Sequence, residues 1–114
     1  MHELAVTQSL LELALKHAQN ASASRINNLN IIIGDMASII DDSVQFYWDL
    51  ISKDTIAEGA KLHFNRVKTV LLCKDCQEEY SPPPGELACT KCAGLNIAIL
   101  SGKEFSLDSI DIET

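Results

Sequence analysis

Apolar residues recur along the first stretch of the chain with the period of a helix. Leu4, Val6, Leu10, Leu11, Leu13, Ala14, Leu15 and Ala18 fall in one broad sector, with Gln8, Ser9, Glu12, Lys16 and Gln19 opposite. That spacing predicts an amphipathic helix over residues 4–19, ended by the polar run 20–24. The period then shortens to two. Leu29, Ile31 and Ile33 alternate with their neighbours and predict a strand over 25–33, stopped by Gly34. Asp41, Asp42 and Ser43 offer cap chemistry for a second helix over roughly 42–53. Its stripe is Val44, Tyr47, Trp48 and Ile51, widened by Phe46 and Leu50, and the three aromatic residues read as core.

Residues 61–72 predict one long strand running into Cys73. The segment Ser81-Pro82-Pro83-Pro84-Gly85 excludes helix and central strand. A short strand follows over 97–100, then a turn at Ser101-Gly102-Lys103, then a last strand over 104–112. The apolar phase of that last strand slips near Ser109, which predicts a bulge. Glu104, Asp108, Asp111 and Glu113 read as its solvated face.

The expected fold class is α+β: two helices packed on a small mixed sheet, with an inserted zinc-ribbon-like CxxC…CxxC lobe. The expected division is an α/β domain of residues 1–70 with 103–114, and a metal-binding domain of residues 71–102. A lobe of about 30 residues is too small to fold on apolar burial alone, so it depends on its metal.

Composition narrows the function. The 114 residues are 46% hydrophobic and 22% charged, as in a globular protein, and carry a formal charge of −7. A surface this acidic repels phosphate backbones and anionic membranes, so neither nucleic acid nor membrane is an expected partner. No segment reaches the about 18 apolar residues that span a bilayer, and no signal peptide is evident. The expected location is cytoplasmic, where four cysteines hold metal rather than disulfides.

Cys73-Lys-Asp-Cys76 and Cys89-Thr-Lys-Cys92 are two CxxC pairs with twelve residues between them. A two-residue spacer lets both sulfurs of a pair reach one ion, and two such turns make a tetrahedral cage. Zinc is the expected occupant, and iron of the rubredoxin type has the same ligand chemistry. Four thiolates close the coordination shell and leave no vacancy for a catalytic water. No other nucleophilic or phosphate-binding arrangement survives, so no catalytic residue is expected and the chain is not read as an enzyme.

Met1-His2-Glu3 carries a second possibility. The terminal amine, the His2 amide nitrogen and the His2 ring nitrogen close adjacent chelate rings. Deprotonated amides suit ions that favour a square plane, Ni(II) or Cu(II). Protons compete for every one of these nitrogens, which suits a carrier that releases its cargo. His17, at the edge of the first helix, reads as a boundary residue. His63 reads as solvated or paired with a neighbouring strand.

Taken together these segments resemble the HypA/HybF family of hydrogenase maturation proteins, which are nickel metallochaperones. The likeness runs through Met1-His2-Glu3, Ile33-Gly34-Asp35, Ser43-Val44-Gln45-Phe46, Ala57-Glu58-Gly59-Ala60, both CxxC pairs and Ser101-Gly102-Lys103-Glu104-Phe105. The resemblance implies Ni(II) at Met1, His2 and Glu3, with Glu3 also serving partner docking. It implies structural zinc at Cys73, Cys76, Cys89 and Cys92. It further implies a HypB-type GTPase as partner and the [NiFe]-hydrogenase large subunit or its maturation complex as client. A homodimer is left open. Many relatives carry an acidic residue where this chain has Ile40, and Asp41 and Asp42 lie next to it. Without the resemblance, the cysteine spacing alone would equally suit a zinc-ribbon interaction module with no nickel function.

Overall fold

The structure, a computed structural model, describes residues 3–114. Two helices and six strands follow in the order α1 (Glu3–Asn20), β1 (Arg25–Gly34), α2 (Asp41–Ile51), β2 (Lys61–Val67), β3 (Val70–Cys73), β4 (Glu79–Tyr80), β5 (Ile97–Ser101) and β6 (Phe105–Glu113). The fold is α+β, with two small sheets ordered β2-β1-β6 and β4-β3-β5. The chain divides into two compact units. One comprises Met1–Ile32, Ser38–Asn65 and Ser106–Thr114, the other Ile33–Ala37 and Arg66–Phe105.

In the first unit, α1 turns Thr7, Leu10, Leu11, Ala14 and Ala18 inward, the i, i+3, i+4, i+7 and i+11 positions of one helical face. Ala14 and Ala18 are fully buried, and α1 packs against α2. Val44 and Trp48 of α2 are fully buried, as are Ile26, Leu29 and Ile31 of β1. Asn28 of β1 bonds His63 of β2, and Asp35, just past the end of β1, bonds Val67 at the end of β2; the partners rise together, so these strands run parallel. Parallel neighbours need a crossover, and α2 supplies it. Ser24 N–H donates to the Glu113 carbonyl and Gly34 N–H to that of Glu104, so β6 runs antiparallel to β1. The sheet is therefore mixed.

Gln45 ties α2 to the sheet. Its Nε2 donates to Asp49 Oδ1 at 2.9 Å while its Oε1 accepts from the Leu62 amide at 3.1 Å.

The strand expected over 61–72 is two strands, broken at Lys68 and Thr69 and belonging to different sheets. The cap of α2 is Ile40, in extended conformation and making no side-chain cap hydrogen bond, so Asp41, Asp42 and Ser43 are not its cap. Asp41 and Asp42 instead occupy the first turn, where the helix dipole favours negative charge. Phe46 and Leu50 are not core: they are 60% and 49% exposed. Glu104 does not lie on the solvated face of the last strand. Its Oε1 accepts from the Gly102 amide at 2.6 Å and closes the turn before β6. In β6 the exposure pattern slips at Asp108 and Ser109, both exposed between Leu107 and Ile110. His63 is exposed, with Nε2 2.8 Å from Asn28 Oδ1 on the neighbouring strand.

The second unit turns on a close backbone approach. The Asp35 amide donates to the Val67 carbonyl and the Met36 amide to that of Gly102. A Cβ on Gly34 would lie 2.0 Å from the Gly102 carbonyl oxygen and 2.6 Å from the Lys103 amide. Backbone on both sides cannot yield as a flexible side chain would. We expect Gly34→Ala to lower unfolding stability by about 3 kcal/mol, at the upper end of overpacking costs. Urea denaturation of the zinc-loaded protein measures it, and a change under about 0.5 kcal/mol would show that the approach is relaxed in solution.

Candidate metal centre

Two turns of the same construction carry the four cysteines. In the first, the Gln77 amide donates to the Cys73 carbonyl at 2.8 Å and the Cys73 amide to the Glu78 carbonyl at 2.8 Å. In the second, the Ala93 amide donates to the Cys89 carbonyl at 2.8 Å and the Cys89 amide to the Gly94 carbonyl at 2.9 Å. Each turn reverses through a residue in the left-handed region, Gln77 at φ 62° and Ala93 at φ 59°. Neither is glycine, so both turns carry a local cost of about 1–2 kcal/mol that the surroundings must offset.

β3 delivers Cys73 at its C-terminal end, between β4 and β5. Leu71 pairs with Tyr80 and Ile99, and Cys73 with Ile97. Leu71, Cys73, Tyr80 and Cys89 form a small buried cluster, flanked by Met36, Cys76 and Ile97. Tyr80 also straps the proline-rich loop, its hydroxyl donating to the Leu87 carbonyl at 2.5 Å.

The four sulfurs lie within 4.8 Å of one another. Cys73 Sγ is 3.6 Å from Cys92 Sγ, and Cys76 Sγ is 3.6 Å from Cys89 Sγ. Bonds of about 2.3 Å to a tetrahedral zinc ion put sulfurs about 3.8 Å apart, so the spacing fits. All four are free thiols. Soft sulfur donors at this spacing suit zinc or iron and disfavour hard cations. Gly94 leaves room for them, since a Cβ there would sit 3.3 Å from Cys92 Sγ.

The sulfurs are not equivalent. The backbone amides of Cys92 and Lys91 point at Cys89 Sγ from 3.5 and 3.4 Å and favour its thiolate. They outweigh desolvation and bring its pKa down to about 7. At Cys76 the amide of Glu78 favours the thiolate, but desolvation and the other three sulfurs prevail and push its pKa up to about 12. At Cys92 the amide of Gly94 acts in the same sense and is again overcome, chiefly by Cys73 and Cys89. Burial, followed by the charge of the four sulfurs, raises Tyr80 as well. Four thiolates this close need a cation between them, and without one protons take its place.

This inequality sets a pH dependence. Cys89, with its depressed pKa, favours the folded cage fully above the ordinary thiol value of 9.0 and loses that contribution as pH falls through about 7. Binding a divalent ion at pH 7 displaces the protons that Cys76 and Cys92 hold and part of that on Cys89. We expect more than about two protons released per ion, and an apparent affinity that rises steeply with pH. Calorimetry in buffers of different ionisation enthalpy counts them. Release of two or fewer would mean that fewer than four thiolates bind.

The other expected metal residues fare differently. Met1 and His2 lie outside the described residues. Glu3 opens α1, half-buried, its carbonyl accepting from the Thr7 hydroxyl. Ile40 is 63% exposed. Among the described residues the four cysteines are the metal-ligating group that stands out. No helix among them is long and apolar enough to cross a membrane. The matched turns at Gln77 and Ala93 left no glycine signal in the sequence, and the Tyr80 strap left none either.

Comparison with known proteins places this geometry in context. Residues 1–112 match the family model described as "Hydrogenase/urease nickel incorporation, metallochaperone, hypA". A protein of Dehalococcoides mccartyi named hydrogenase maturation factor HypA is 36% identical, covering 99% of this chain and 95% of its own length. A protein of the same name from Caldanaerobacter subterraneus is 33% identical, covering 99% and 100%. Among solved structures, the solution structure of the Ni metallochaperone HypA from Helicobacter pylori superposes with a TM-score of 0.69 at 26% identity, covering 99% of this chain and 98% of that one.

Proposed function

The chain belongs to the HypA family of nickel-incorporation metallochaperones, and from that premise we propose that it carries Ni(II) at its amino-terminal residues and delivers it, with a HypB-type GTPase, to the [NiFe]-hydrogenase large subunit or its maturation complex. As a member of that family it is a maturation factor for hydrogenase and not an enzyme. The nickel ligands of the proposal are the Met1 amine, the His2 amide and ring nitrogens, and neighbouring backbone or carboxylate donors at Glu3. Zinc resides at Cys73, Cys76, Cys89 and Cys92. Nickel handling belongs to residues 1–70 with 103–114 and zinc holding to 71–102, in the cytoplasm.

The observation that carries this reading is the closed four-sulfur group. Four thiolates satisfy one tetrahedral ion, and thiolates hold zinc tightly. A cargo ion that must leave needs weaker, proton-sensitive ligands elsewhere in the chain. The start of α1 at Glu3 supports the amino terminus. The first amides of a helix have no carbonyl a turn earlier, so nitrogens at this end are not consumed by the helical ladder. The positive end of the helix dipole also favours the negative charge left on an amide nitrogen that has lost its proton.

The test loads the native chain with both metals. One zinc and one nickel per chain are expected, with nickel passing to metal-free hydrogenase large subunit only when the GTPase and GTP are present. Failure of nickel to move under those conditions counts against delivery. Nickel that displaces zinc counts against two separate sites.

A further inference from the structure

A two-layer unit lets a surface helix bury one stripe and wet the other. α2 departs from that rule. Val44 and Trp48 are fully buried, and Phe46 lies about 200° round the helix from each of them. Phe46 is accordingly 60% exposed, and Leu50, one turn further along the same side, is 49% exposed. Tyr47 meets the Phe46 ring edge-on with centroids 5.5 Å apart, which restricts where that ring can go. Ile40, at the head of the helix, is 63% exposed. Scattered exposed apolar residues are ordinary, but aromatic and aliphatic side chains a turn apart make a patch.

The surroundings of the patch are acidic. Asp42 and Asp49 stand one turn before and after Phe46, both exposed, and Gln45 Nε2 holds the Asp49 carboxylate at 2.9 Å. The residues of this unit include ten carboxylates against four lysines and arginines, a formal charge of −6. A second copy of the chain would bring the same excess of negative charge to the contact, and an anionic lipid surface would be repelled likewise. Charge complementarity selects a basic protein surface bearing a large apolar side chain. Such a pairing uses the apolar anchor for affinity and the charged rim for steering.

We propose that the outward face of α2, centred on Phe46 and Leu50 and edged by Asp42 and Asp49, is where the GTPase partner docks, through an apolar side chain set in a Lys/Arg rim. This rests on the GTPase partnership of the preceding subsection and assigns it a surface.

The test titrates the zinc-loaded full chain with the GTPase of the same organism by calorimetry, at two salt concentrations. The wild-type chain should bind, more weakly at high salt. Phe46→Ser with Leu50→Ser should weaken binding about tenfold or more. Asp42→Asn with Asp49→Asn should weaken it a few-fold and flatten the salt dependence. Leu95→Ser, which alters a residue 71% exposed in the other unit, should bind as wild type. Zinc content and helical circular dichroism are expected to be unchanged in all of them. Should the serine pair disturb folding, Phe46→Leu is the gentler variant, and it should retain most of the affinity. Equal binding by the wild type, the serine pair and the asparagine pair would overturn the assigned surface. No binding by the wild type would instead remove the GTPase partnership, and this proposal with it.

Discussion

Stripping the metal from the four-cysteine cage, or replacing Cys73 and Cys92 by serine, is expected to unfold the second unit while α1 and α2 keep their helicity. Its buried cluster is Leu71, Cys73, Tyr80 and Cys89, so half of that core is metal ligand. Its sheet has one strand of two residues and one of four. The left-handed turns at Gln77 and Ala93 add local cost. Apolar burial on this scale cannot offset the ordering of some forty residues, whereas a structural zinc site supplies roughly 10–16 kcal/mol at neutral pH. Amide spectra should lose the dispersed signals of residues 66–105 when chelator is added and regain them with zinc. Signals that stay dispersed without metal would show that the unit folds on its own.

The second large effect belongs to the amino terminus. Replacing His2 by alanine, or adding one residue ahead of Met1, is expected to weaken nickel binding by about 100-fold or more with zinc content unchanged. Loss even of a group that only supports a ligand costs about 10–100-fold, and on the proposed assignment these changes remove a ligand or misplace the amine. Glu3→Gln should be milder, since it keeps every backbone nitrogen of the proposed chelate and removes a single carboxylate. Competition with a coloured chelator measures all three. Unchanged nickel affinity in both of the first two variants would dismiss the site.

How far the chain could be read in advance depended on the kind of signal. The two CxxC spacings led directly to four sulfurs within 4.8 Å, because a two-residue spacer leaves few other geometries. The helical stripes of α1 and the alternation of β1 were visible for the same reason, being periodic. The break at Lys68 and Thr69 was not, since Val67, Lys68, Thr69 and Val70 all suit a strand and no Gly or Pro marks it. It coincides with a tertiary approach: Gly102 comes so close that a Cβ there would sit 2.9 Å from Thr69 Cα. Phe46 misled because α2 is apolar on two sides, and periodicity does not say which side faces inward. Gln77 and Ala93 hid their left-handed turns because side chains at those positions usually signal ordinary backbone.

The most direct test is X-ray absorption at the nickel edge of protein carrying one zinc and one nickel and starting at Met1. Planar coordination by nitrogen and oxygen, with imidazole scattering that disappears in His2→Ala, is the expected result. Sulfur in the nickel shell, or a spectrum indifferent to His2, would place the cargo elsewhere and contradict the assignment.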